Sequence, residues 1–254
     1  MNNFFSQNGE DAALSAIFRK STGVCVEVGA HDGVALSNTY HFERRGWRCI
    51  LVEPNPAMCR AVRQNRNWLS TLFECAASDV AGSAELKAGI GDRDLYSTLG
   101  PLGRNAPPDL FQTLAVATRT LDSILEEAGV RNPDFISIDV EGHELQVLRG
   151  FTLSRWRPRL VLVEDNSDLT DSSVAEHFKR SGYFRFYRSG ANDWYARPGE
   201  ARLRLLFNIL RSGRFSWKGL LKASGPAGLL QKLLLLRRSL VATGGARHPA
   251  ADPR

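Results

Sequence analysis

The chain of 254 residues contains no uninterrupted apolar run long enough to span a bilayer as a helix. Its first eleven residues, M-N-N-F-F-S-Q-N-G-E-D, lack the basic start and apolar core of a secretory leader, so the sequence reads as cytoplasmic. Cysteine is scarce: Cys25, Cys49, Cys59 and Cys75 have no metal-ligand spacing, and Cys25, Cys49 and Cys75 fall in apolar segments as buried free thiols. There is no internal repeat. A content of 43% hydrophobic and 24% charged residues excludes a disordered chain. Acid is scarce only at the C-terminal end, where residues 197–254 hold 12 Lys+Arg against 2 Asp+Glu, while residues 1–196 hold 21 against 25. The formal charge of +6 therefore belongs to the tail. A pI of about 9.4 suggests a nucleic-acid-binding or modifying protein, but the net-acidic body offers no basic face for a duplex.

The stretch around which the rest is organised is Val24 to Gly33, V-C-V-E-V-G-A-H-D-G. Alternating Val24, Val26 and Val28 fit a buried strand, and Gly29 and Gly33 then allow a tight turn and close approach of backbone to a ligand. Ser37, Asn38 and Thr39 can cap the free amides of a following helix. A second strand, Cys49 to Val52, ends in Glu53, twenty positions after Gly33. At that spacing a carboxylate meets the two hydroxyls of a nucleoside ribose. A nicotinamide-dependent oxidoreductase would use the same acid, but V-G-A-H-D-G lacks the G-x-G-x-x-G spacing.

Residues 1–23 read as an amphipathic helix with Ala13, Leu14, Ile17 and Phe18 on one face, covering a sheet edge or the mouth of a site. Pro56 suits the first turn of a helix running to Asn67, and Leu72 to Ala77 reads as a third strand ending at Ser78-Asp79. Residues 82–117 look irregular, a candidate substrate lid. A helix over Thr118 to Ala128 follows, then strands at Asp134 to Val140 and Leu160 to Glu164, with a helix from Glu141 to Leu148. A helix over Ser172 to Arg180 precedes strands at Tyr183 to Tyr187 and Trp194 to Arg197. Strands alternating with helices imply an α/β protein, a mostly parallel sheet with helices on both faces. Ligands then bind at the carboxyl ends of the strands, where Glu27 to Gly33, Glu53, Ser78-Asp79, Asp139 to Glu144 and Glu164-Asp165-Asn166 should converge.

These residues carry a family resemblance. V-E-V-G-A-H-D-G-V-A-L-S-N-T, I-L-V-E-P-N-P, T-L-D-S-I-L and F-I-S-I-D-V-E-G-H-E-L-Q-V-L-R-G together resemble the FkbM family of S-adenosylmethionine-dependent methyltransferases. The resemblance covers roughly residues 5–196, and its most specific block is the last. It implies the class I, Rossmann-like fold, with seven strands of which the last is antiparallel, and methyl transfer to a hydroxyl of a sugar-containing, polysaccharide or lipid-linked acceptor. It also implies that Glu27 and Gly29 line the methionine end of the cofactor, that Ala30, His31, Asp32 and Gly33 of the same turn belong to the cofactor site, that Glu53 holds the ribose, that Ser78 and Asp79 sit by the adenine, and that Asp139 lies at the amino-acid portion or the reacting centre. His31 stands where many class I members have a glycine.

An unactivated alcohol needs a base, and Asp139, Glu141 and His143 are the candidates. Asp139 with Asp165 and Asn166 forms a second constellation that resembles the divalent-metal site of catechol-type methyltransferases and could hold Mg²⁺. The expected domains are a methyltransferase domain over residues 1–197 and a basic helical tail over 198–254. In the tail Leu203, Leu206, Phe207 and Leu210 form one apolar stripe and Leu229, Leu233, Leu236 and Leu240 another, each flanked by Arg or Lys. Such helices suit a membrane surface, the catalytic domain or a second subunit equally. Residues 243–254 read as a frayed end.

Overall fold

The main sheet takes its order from which strands can be buried on both faces. In the structure, a computed structural model that describes residues 3–102, 107–167, 170–214, 216, 218 and 220, the central strand is β1 (Val24–Val28). It pairs in parallel with β2 (Arg48–Val52) on one side and β7 (Phe135–Ile138) on the other. β3 (Ser70–Phe73) extends the sheet beyond β2, and β8 (Leu160–Glu164) extends it beyond β7, both in parallel. β10 (Asn192–Ala196) then runs antiparallel to both β8 and β9 (Phe184–Ser189). The order is β3-β2-β1-β7-β8-β10-β9, seven strands with the last in the chain reversed, as expected of the class I fold.

Side-chain alternation divides the core into two layers. Val26, Val28, Ile50, Val52, Ile136 and Ile138 point to one face, against Leu121, Ile124 and Leu125 of α4 (Leu121–Glu127), Val147 and Leu148 of α5 (Glu144–Arg149), and Phe178 of α7 (Ser173–Arg180). Cys25, Cys49, Leu51, Phe135, Leu160 and Leu162 point to the other face, with α1 (Glu10–Ile17), Phe42 of α2 (Tyr40–Glu43) and Trp47. On α1, Ala13, Leu14 and Ile17 are buried, as is Phe18 just beyond it. All four cysteines are free and buried. Pro56 opens α3 (Pro56–Asn65), where Asn55 Oδ1 accepts from Ala57 N–H, and α6 (Leu153–Trp156) precedes β8.

Three expectations need correction. The third strand does not run from Leu72 to Ala77: it ends at Phe73, and Ala76–Ala77 form β4 of a second sheet. The apolar run continues because the chain passes from one buried environment to another, and hydrophobicity alone does not reveal a change of partner. Residues 82–117 are not an irregular lid. They contain β5 (Gly82–Gly89) and β6 (Phe111–Arg119), antiparallel partners in the order β4-β6-β5, with a 3₁₀ turn over Gly91–Tyr96 between them. Thr118 and Arg119, read as a helix start, finish β6. The first tail helix, α8 (Arg202–Arg211), meets one of the surfaces expected for it: it lies against α1, with Leu205, Leu206 and Ile209 inside the second core layer. Of the expected stripe, Leu206 is among these three, Leu210 is half-buried, and the side chains of Leu203 and Phe207 lie outside the described residues. The second stripe and residues 243–254 lie outside the described residues, among which no helix is long and apolar enough to cross a membrane.

Candidate functional site

The chain leaves β1 through a turn that only particular backbone can make. Gly29 has φ 86°, and a Cβ there would lie 1.8 Å from the Asp139 carbonyl oxygen, so the ends of β1 and β7 approach as closely as glycine allows. Gly29 and Ala30 donate their N–H groups to Val52 O at 2.9 and 3.1 Å, which ties the turn to the end of β2. His31, where a glycine is common in the wider class, has φ 49°. It occupies the left-handed region that glycine would favour, at a cost of about 1 to 2 kcal/mol for a residue with a Cβ. Its N–H is held by Glu53 Oε2 at 2.9 Å, while Glu53 Oε1 accepts from Asn55 N–H at 2.8 Å. Burial pushes the Glu53 carboxyl up to about 7.

Glu27 is bound more tightly still. Its Oε2 accepts from Ser37 Oγ at 2.7 Å and Thr39 Oγ1 at 2.5 Å, and its Oε1 accepts from Asn38 N–H at 2.6 Å. Burial raises its pKa, and Arg66 and these hydrogen bonds oppose the rise. Ser37 does cap, as expected, by accepting from Tyr40 N–H at 3.0 Å. Beneath the turn lies Arg66, just past the end of α3, which the sequence reading did not single out. It donates to Gly33 O at 2.8 Å, Glu43 Oε2 at 2.9 Å and Thr39 Oγ1 at 3.2 Å, with its side chain 2% exposed.

The order of strands reverses between β1 and β7, and there a cavity of about 410 Å³ opens at their carboxyl ends. Glu27, Gly29, Ala30, His31 and Glu53 line one side, and Asp139, Glu141 and His143 line it from the end of β7. Asp32, Gly33, Ser78 and Asp79 do not line it. Asp32 instead accepts from Val34 and Ala35 N–H at 2.8 and 2.7 Å and fixes the exit from the turn. Ser78 Oγ lies 3.0 Å from His143 Nε2 and 3.2 Å from Asp79 Oδ1, so this pair positions the histidine. Burial lowers the His143 pKa, against the attraction of Asp79.

The acid that joins Asp139 is Glu164, not Asp165. Asp165 Oδ1 accepts from Ser167 N–H at 2.9 Å and its Oδ2 lies 3.4 Å from Arg188 Nη1, so the loop after β8 uses both oxygens. The sequence marks the end of β8 as polar, and of its three polar neighbours Glu164 and Asn166 line the cavity while Asp165 does not. Asp139, Glu141 and Glu164 each bring one carboxylate oxygen within 4.8 Å of the others. Asp139 is exposed in the open cavity, while Glu141 and Glu164 are half-buried. Burial pushes Glu164 up to about 9, with further repulsion from Asp139 and Glu141, and it pushes Glu141 up to about 7. Asp139 is also raised by burial, but the hydrogen bond from Glu164 favours its ionised form. Near neutral pH Glu164 holds the proton of this pair and Asp139 is the acceptor.

The opposite wall comes from the segment that the sequence marks as a candidate lid, although its strands were not foreseen. Leu86 of β5 together with Leu95, Tyr96 and Leu99 of the following turn faces the acids, and Thr98 Oγ1 donates to Glu141 O at 2.6 Å. Gln7 and Asn8, ahead of α1, stand at the mouth. Asn38 Oδ1 and Glu164 Oε2, both on the wall, are buried without a hydrogen-bond partner.

The family model described as the methyltransferase FkbM domain matches residues 27–184, more than half of the chain. Among curated proteins, the 2-O-methyltransferase NoeI of Sinorhizobium fredii is 26% identical over 59% of this chain and 66% of its own length. The hexuronic acid methyltransferase AglP of Haloferax volcanii is 31% identical over 25% of this chain and 27% of its own length. The match thus spans just under two thirds of the first relative and about a quarter of the second. Among solved structures, a precorrin-6y C5,15-methyltransferase from Geobacter metallireducens aligns with 74% of this chain, covering 86% of that one, at 13% identity and a TM-score of 0.43.

Proposed function

The chain belongs to the FkbM methyltransferase family, and from that premise we propose that it is an S-adenosylmethionine-dependent O-methyltransferase acting on a hydroxyl of a sugar-containing acceptor. One observation carries the reading: the glycine turn after β1, the acid after β2 and the acids after β7 and β8 all open into one cavity. The residues present fit the cofactor. Gly29 lets a nucleoside approach the backbone, Glu53 has lone pairs for ribose hydroxyls, and Asn38 Oδ1, still lacking a donor, suits an ammonium group. When bound, S-adenosylmethionine supplies an electrophilic methyl group on a cationic sulfur, which nearby carboxylates favour. Ser78 and Asp79 act on this reading through His143 rather than at the adenine.

With the cofactor bound, Asp139 would take the proton of the acceptor hydroxyl that receives the methyl group. Glu141 and the Asp139–Glu164 pair orient the hydroxyl, and Leu86, Leu95 and Leu99 keep water from the reacting line. Four buried free thiols suit a reducing compartment, which supports a cytoplasmic location. Calorimetry is expected to show cofactor binding that Gly29→Arg abolishes and Glu53→Ala weakens by about 1 to 3 kcal/mol. Asp139→Asn is expected to keep cofactor binding and to lower turnover by at least ~100-fold; turnover within a few-fold of the parent would remove Asp139 as base. A magnesium ion held by Asp139, Glu141 and Glu164 is the alternative use of the same oxygens, and activity that survives EDTA excludes it.

A further inference from the structure

What the cavity wall still asks for is hydrogen-bond donors. Its two buried atoms without partners, Asn38 Oδ1 and Glu164 Oε2, are both acceptors. Asn38 is 8% exposed, and its Nδ2 is already committed to Ser137 Oγ at 2.9 Å, so its amide oxygen is the atom it presents to a ligand. The charged side chains on the described wall are Glu27, Glu53, Asp139, Glu141 and Glu164, and none of the described lining residues is Lys or Arg. Arg66, the nearest buried cation to the turn, lies behind Glu27 and Glu43 with its donors in use. An acceptor bearing a carboxylate or phosphate would bring a charge of the wrong sign for Asp139 and Glu141, with no Lys or Arg among the described lining residues to meet it.

We propose that the acceptor is a sugar without acidic groups, preferentially an amino sugar whose ammonium lies beside the carboxylates of Asp139 and Glu141, and that uronic and phosphorylated sugars are rejected. This rests on the sugar-methylating reading and makes it specific. With Asn38 Oδ1 left to the cofactor, an acceptor hydroxyl or ammonium supplies the donor that Glu164 Oε2 lacks, and the apolar face of a pyranose ring fits Leu86, Leu95 and Tyr96 opposite. The hexuronic acid in the name of AglP therefore does not carry over to this chain.

The test is binding of the methyl glycosides of glucosamine, glucose and glucuronic acid, each titrated into the full chain saturated with S-adenosylhomocysteine and followed by calorimetry. The expected order is glucosamine tightest, glucose between, and glucuronic acid weaker than glucosamine by at least about tenfold. Glu141→Gln and Asp139→Asn, two independent variants in case one fails to fold, should each shrink that gap to about threefold or less. Glucuronide binding as tight as glucosaminide, or a gap that neither variant changes, overturns the charge assignment and leaves sugar methylation standing. Failure of all three glycosides to bind removes the sugar reading itself, and the inference with it.

Discussion

A methyl group at Gly29 has nowhere to go. The Asp139 carbonyl would lie 1.8 Å from it and the backbone is left-handed, whereas Gly46, also at positive φ, has nothing within 4 Å. Gly46→Ala is therefore expected to cost only the conformational term, about 1 to 2 kcal/mol, and Gly29→Ala several kcal/mol more as β1 and β7 are forced apart. Urea midpoints compare them, and equal losses would contradict the close approach. Arg66 is a second residue on which the turn depends. Removing it leaves Glu43, 2% exposed, and Glu27, 5% exposed, without their cation, so Arg66→Ala is expected to cost about 3 to 5 kcal/mol by denaturant unfolding. Glu164 works in the opposite direction. Its folded pKa of about 9 exceeds the ordinary 4.5, so the folded chain keeps a proton that the unfolded chain releases. The stability this gives is complete below pH 4.5 and is lost as the pH rises towards 9. Glu164→Gln should accordingly flatten the fall in stability across that window, a slope readable from denaturation midpoints at several pH values; an unchanged slope would mean that Glu164 ionises normally.

At the scale of elements, α8 is part of the fold. Leu206 is fully buried, so Leu206→Ala is expected to cost about 2 to 5 kcal/mol, while exposed Arg204→Ala stays within about 0.5 kcal/mol. A Leu206→Ala variant as stable as the parent would show that α8 docks without holding the domain. The sequence makes this helix legible but not its inner face. R-L-R-L-L-F-N-I-L-R carries apolar residues over most of its circumference, several stripes satisfy helical spacing, and the surface of α1 selects among them. The parallel strands are legible for a different reason: V-C-V-E-V, R-C-I-L-V and L-V-L-V-E are buried on both faces and need no partner to be recognised. β5 and β6 escape notice because alanine and glycine dilute their alternation, and of their apolar side chains only Leu86, Ala88 and Val116 are buried. The cavity inherits the same division. Its glycine turn and strand-end acids are readable, since chemistry confines those residue types to strand ends, but the wall supplied by Leu86 to Leu99 exists only once a second sheet is placed over the first.

For the molecule as a whole, a ligand that fills the cavity joins both halves of the main sheet and should stabilise everything at once. S-adenosylhomocysteine at about 100 times its dissociation constant is expected to add ~2.7 kcal/mol and to raise the thermal midpoint of the whole chain in a single transition. An unmoved midpoint would argue against cofactor binding. Residues 221–254 hold six Lys+Arg against one Asp and the second leucine stripe, and their attraction to anionic lipid is worth about 1 kcal/mol for each basic side chain at the surface. Because Leu205, Leu206, Ile209 and Leu220 lie in the core, the decisive truncation ends after residue 220. The full chain is expected to float with anionic liposomes and the shortened chain to stay behind; identical flotation would remove the membrane reading. The pairing of β1 with β7 also has a consequence in time. Val24 N–H is held by Asp134, 110 residues further on, and the Asp139 carbonyl shapes the turn at Gly29. During synthesis at about 5 to 20 residues per second, β1 and β2 leave the ribosome seconds before their central neighbour exists. The glycine turn after β1 is therefore made early but given its form late, and for that interval a nascent chain exposes the edge of β1 with nothing paired to it.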